Sequence, residues 1–103
     1  MYLLQILLPL RDNQNHPLPH DEYRTVRTEL TERFGGLTAF TRAPAEGVWQ
    51  SGADVSTARD DIVIFEVMVT DFDRSWWSGY RKDLEARFRQ DVVIIRAMPI
   101  ELI

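Results

Sequence analysis

The chain contains no cysteine. That absence excludes disulfide staples, thiolate nucleophiles and thiolate metal sites together. Basic residues are also scarce relative to acidic ones, 12 against 16, for a formal net charge of −4. A nucleic-acid-binding domain carries the opposite balance, so nucleic acid is not an expected partner. Long apolar runs are missing too. The opening "MYLLQILLPLRDN" is too short to cross a bilayer. It lacks both the basic segment and the small-residue cleavage site of a secretory leader. The expectation is therefore a cytoplasmic protein with no membrane partner. No glycine-rich phosphate loop, nucleophile elbow or zinc-protease helix motif occurs, so no cofactor is expected either.

What remains is an ordinary foldable composition, 45% hydrophobic and 27% charged over 103 residues. That length supports one core, so residues 1–103 are expected to form a single domain. "YLLQILLPL", Tyr2 to Leu10, reads as a strand apolar on both faces, hence central in a sheet. From His20 to Phe34 the apolar residues Tyr23, Val26, Leu30 and Phe34 recur at helical spacing, with Asp21 and Glu22 suited to the positive helix start. Gly35-Gly36 then stops the helix, because glycine reaches the left-handed conformation of a C-terminal cap.

"LTAFTRA", Leu37 to Ala43, alternates like a second strand, and "DIVIFEVMVT", Asp61 to Thr70, is a third. Asp71 or Asp73 can cap a second helix with the stripe Trp77, Tyr80 or Arg81, Leu84 and Phe88. "VVIIRAMPI" is the fourth strand. The order β-α-β-β-α-β predicts an α+β, ferredoxin-like sandwich with two helices on one face of a four-stranded antiparallel sheet. An internal repeat agrees: at an offset of 54, Leu30, Arg33, Phe34, Arg42 and Ala43 fall on Leu84, Arg87, Phe88, Arg96 and Ala97.

Strand alternation then specifies the face without helices. Leu3, Gln5 and Leu7, Thr38, Phe40 and Arg42, Ile62, Ile64, Glu66 and Met68, and Val92, Ile94, Arg96 and Met98 are expected there. That face is mostly apolar, which predicts a cover, most simply a second copy of the chain. Its polar members Gln5, Arg42, Glu66 and Arg96 have two readings. They form an ion-pair network that sets dimer register, or they line a pocket in which Glu66 serves as a base and the arginines hold an anion. Trp49 either plugs the end of the core or walls such a pocket. His20 is the other candidate for proton transfer. His16 and His20 have metal-ligand spacing, but Pro17 and Pro19 between them break the helix it requires, so no metal site is expected.

The segments "RFGGLTAFTRAPAEGVW", "DDIVIFEVMV" and "LEARFRQDVVIIRAMPIEL" resemble a group of small bacterial proteins of unassigned function. The "FGG-x-T" and "P-x-x-G-x-W" motifs are the most recognisable parts. That resemblance carries no catalytic residues to this chain. At the level of fold the pattern is similar to the dimeric α+β barrel proteins, which include cofactor-independent oxygenases, haem-degrading enzymes and small isomerases or lyases. Three functions follow as expectations: a non-catalytic homodimer that binds a small organic molecule, a small enzyme for an aromatic or carbonyl metabolite, and a structural interaction module.

Overall fold

Alternation in the first strand organises the molecule. In β1 (Tyr2–Pro9), Leu4, Ile6 and Leu8 are fully buried while Leu3, Gln5 and Leu7 between them are only partly so. A strand sends successive side chains to opposite faces, so one face of β1 is core and the other is not. The computed structural model describes residues 1–35, 38–42 and 62–103, with 38–42 described as backbone only. The elements follow as β1, α1 (His20–Phe34), β2 (Thr38–Arg42), β3 (Ile62–Val69), α2 (Arg74–Arg87) and β4 (Ile94–Pro99). The protein is α+β, with two helices and an antiparallel sheet. β1 pairs with β3 on one side and β4 on the other, and β2 pairs along β3, giving the order β2-β3-β1-β4.

Both helices bury their apolar stripes against one side of this sheet. Val26 and Leu30 of α1, then Trp77, Tyr80 and Leu84 of α2 with Phe88 at its end, join Leu4, Ile6, Leu8, Phe65, Val67, Val69 and Val93 in one core. Each buried Leu or Phe removes enough apolar surface from water to stabilise the fold by roughly 1.5–3 kcal/mol. The expected helix stripes are those observed. α1 begins at His20 and α2 at Arg74, separated by the repeat offset of 54. Leu30 and its counterpart Leu84 are both completely buried, so this repeated pair holds equivalent places in the two helices.

The helix ends follow local chemistry. Gly35 takes φ 79° and its N–H donates to the Thr31 carbonyl at 2.8 Å, the left-handed cap expected after Phe34. Asp73, not Asp71, caps α2, accepting the Trp76 N–H at 3.0 Å. The loop between β1 and α1 closes on Asp12, whose Oδ1 accepts the N–H groups of Gln14 and His16, each at 2.9 Å. Asp12 Oδ2 faces Arg89 at 3.3 Å and His16 at 3.6 Å. Those bonds, the His16 N–H first among them, hold its pKa below the usual carboxylate value against the opposing effect of burial.

Three placements differ from expectation. Ile64 lies on the face away from the helices but is only 2% exposed, in register between Leu7 and Phe40 at the middle of the sheet. Ala97 is level with buried Leu4 on the helix side, as alternation requires, yet it is exposed, because it lies in a cleft between α2 and the edge strand β4 instead of under the helix. Trp76 stands outside the helix stripe read from the sequence. It is instead partly buried, stacked on Tyr80 at 4.9 Å and edge-on to Phe34 at 5.4 Å, with the Arg33 guanidinium 4.2 Å above its ring.

Candidate functional site on the open sheet face

The face opposite the helices is built from odd-numbered β1 positions and the residues in register with them. Three rows cross the sheet there: Met98–Leu3–Met68, Arg96–Gln5–Glu66 and Ile94–Leu7–Ile64. Each row is read from β4 through β1 to β3. Met68, Ile94 and Met98 are large apolar residues left exposed, at 54%, 52% and 37%. Val92, just before β4, is exposed as well.

The middle row carries the polar chemistry. The Gln5 side-chain amide donates to Glu66 Oε2 at 2.7 Å across the two central strands. Antiparallel neighbours bring side chains on one face within reach, so this bond follows from register alone. Arg96 flanks Gln5 on its other side and is exposed. Gln5, Glu66 and Arg96, all singled out in the sequence, thus share one line.

The other sequence candidates do not join that line. Arg42 pairs with Ile62, and it is Thr38 that pairs with Glu66, so Arg42 is four positions along β2 from the polar row. At about 3.4 Å per residue that is some 13–14 Å of strand. The equivalence of Arg42 and Arg96 in the repeat does not bring them level. His20 starts α1, in the helix layer, on the opposite side of the sheet from Glu66. Trp49, with the whole "PAEGVW" segment and Gly36, lies outside the described residues, as do the Arg42 and Phe40 side chains. Among the described residues no group of three or more His, Asp or Glu could hold a metal, and no helix is long and apolar enough to cross a membrane.

Sequence reasoning missed a second polar centre, between the helices. Tyr80 donates its O–H to Glu29 Oε1 at 2.9 Å, and Arg87 Nη2 meets that same oxygen at 2.9 Å and Asp83 Oδ2 at 3.1 Å. Burial, then the bond to Glu29, raises the Tyr80 pKa. For Arg87, burial acts downward, but the bonds to Glu29 and Asp83 prevail and its pKa is raised. Tyr23 donates to the Pro9 carbonyl, and burial followed by the charge of Glu22 pushes its pKa to about 12. These groups are locked in bonds that fasten helix to helix and helix to sheet, so they have structural roles. The i, i+4 spacing of Asp83 and Arg87 was the available signal; the partner Glu29 is distant in sequence and was not legible.

Comparison with protein-family models, with curated proteins and with solved structures finds no match.

Proposed function

We propose that the chain is a ferredoxin-like domain that works as a cytoplasmic homodimer, two copies stacking their open sheet faces without catalysis. One observation carries this reading: about β1, the Met98–Leu3–Met68 row is close to mirror-symmetric in shape and the Arg96–Gln5–Glu66 row is antisymmetric in charge. A two-fold axis along β1, between two stacked sheets, keeps every row level and exchanges its ends. Met98 then lies over Met68 of the second copy and Arg96 over Glu66, while Gln5 faces Gln5. An isologous interface needs this self-complementarity, and opposite charges meeting across it specify register. The exposed methionines and Ile94 supply the apolar area that a stable contact must bury.

A second reading keeps the dimer and adds a small organic molecule between the sheets. It is favoured by the placement of the polar row between two apolar ones, an arrangement that can hold one polar group of a mostly apolar ligand. A catalytic version would use Glu66 as base, with Arg96 holding an anionic group. Its described partner is Gln5, and His20 would take no part from the helix layer.

Sedimentation velocity with charge-reversed variants tests the proposal. Arg96→Glu and Glu66→Arg are each expected to dissociate the dimer, and the double swap to restore it. A monomeric wild-type protein, or single reversals that leave the dimer intact, would overturn it. Native mass spectrometry of the gently purified protein separates the two readings: a small-molecule increment lost in Glu66→Gln supports a bound ligand, and a bare dimer supports the non-catalytic interface alone.

A further inference from the structure

The cleft between α2 and β4 lies on the helix side of the sheet, away from the open face. It encloses about 250 Å³. Liquid water occupies about 30 Å³ per molecule, so the cleft has room for a small organic molecule. Its helical wall carries Arg74, Trp77, Ser78 and Arg81, and its floor is Ile95 and Ala97 of β4 with Leu4 of β1. Arg74, Ser78 and Arg81 follow i, i+4, i+7 spacing, which places them on one side of α2 over two turns. One wall therefore presents two cations and a hydroxyl, and the other surfaces are apolar.

Arg81 supplies the more specific observation. Its Nε is buried and has no hydrogen-bond partner. It forms an ion pair with Glu85 Oε2 at 3.8 Å, too long for a hydrogen bond, and that oxygen also accepts the Val93 N–H at 3.0 Å. The Arg81 side chain is nonetheless 44% exposed and lines the cleft, so its guanidinium can be reached from there. Arg74 is held at the other end of the wall, its guanidinium 5.1 Å from the Phe72 ring. Asp73, the neighbouring acid, is engaged in capping α2 through the Trp76 N–H. The first turns of α2 add the positive end of the helix dipole.

We infer that this cleft is a binding site for a small organic carboxylate with an apolar or aromatic body. The carboxylate pairs with the Arg81 guanidinium, with Ser78 and Arg74 beside it, and the body rests between Trp77 and the Ile95–Ala97 floor. A carboxylate accepts from a guanidinium through two parallel bonds, here from the two terminal nitrogens, because Nε is buried. The site does not depend on whether the open faces pair.

The test is a titration of the full chain with benzoate, followed by ¹H–¹⁵N NMR. Expected are saturable shifts at Ser78, Ala97, the Trp77 indole N–H and the Arg81 Nε–H. Benzamide, the neutral isostere, is expected to bind about tenfold or more weakly, the scale of one charge-assisted hydrogen bond. Arg81→Gln is expected to lose at least as much. Because that variant also alters the Glu85 contact, Ala97→Leu provides a second arm: it fills the floor from an exposed edge-strand position and is expected to abolish binding with an otherwise unchanged spectrum. Absence of shifts up to high millimolar benzoate, equal affinity for benzamide, or wild-type affinity in Ala97→Leu would each overturn the inference.

Discussion

Gln5 donates its side-chain amide to Glu66 at 2.7 Å, joining the two central strands across the middle of the open face. The bond fixes the carboxylate's position within the row that ends at Arg96. Replacing Gln5 with Leu removes that donor and puts an apolar side chain beside Glu66. In the proposed dimer, the expected outcome is association weakened by about tenfold or more, since an interfacial carboxylate loses a bond worth about 1.5–3 kcal/mol. Sedimentation equilibrium of the variant measures it, and unaltered association would argue that the row lies outside the interface.

Tyr80 and Glu29 connect the two helices through a side-chain bond of 2.9 Å. Tyr80→Phe keeps the ring, its stacking on Trp76 and the Glu29–Arg87 pair. The loss is then the hydroxyl bond alone, about 1 kcal/mol once the partial exposure of Glu29 is allowed for. Chemical denaturation checks this. Leu84→Ala, by contrast, deletes a completely buried side chain and is expected to cost about 2–5 kcal/mol.

Asp12 makes the stability sensitive to acid. Its folded pKa lies below the ordinary value of 3.8, so the unfolded chain binds its proton first as the pH falls. The contribution is therefore fully present above that ordinary value and disappears as the pH drops through the lower folded one. Thermal melts of Asp12→Asn are expected to show a lower melting temperature at neutral pH and a shallower fall below pH 3.8 than the wild type. Parallel curves would assign the acid sensitivity to other groups.

Gly35 ends α1 with φ 79°, and no atom lies within 4 Å of where a Cβ would stand. A substitution there meets open space, so its cost is conformational. Gly35→Ala is expected to destabilise by about 1 kcal/mol, and Gly35→Asn by less, because asparagine tolerates the left-handed region better. Equal effects of the two would point to a steric cause.

The helices were legible because their information is local. Val26 and Leu30, or Tyr80 and Leu84, are one turn apart, and a 3.6-residue period needs no knowledge of the rest of the chain. Strand faces were legible for the same reason: alternation assigned Leu4, Ile6 and Leu8 inward and Gln5 outward without any pairing information. The boundaries were less so. β4 was read from Val92 and pairs from Ile94, since propensity does not say where a partner strand ends.

Register was beyond the reach of the sequence. The repeat made Arg42 and Arg96 equivalents, and equivalence under a pseudo-two-fold is not proximity; only the β2–β3 pairing shows Thr38 beside Glu66 and Arg42 beside Ile62. The α2–β4 cleft was hidden for a related reason. Arg74, Ser78 and Arg81 are visible as a helical stripe, but Ile95 and Ala97 become its floor only when β4 takes the edge beside β1. Periodicity and caps are written in neighbouring residues, so the sequence by itself determined the helices, the strand faces and the element order. Which distant side chains stand level across the sheet depends on strand pairing between segments some sixty to ninety residues apart, and only the tertiary structure decided it.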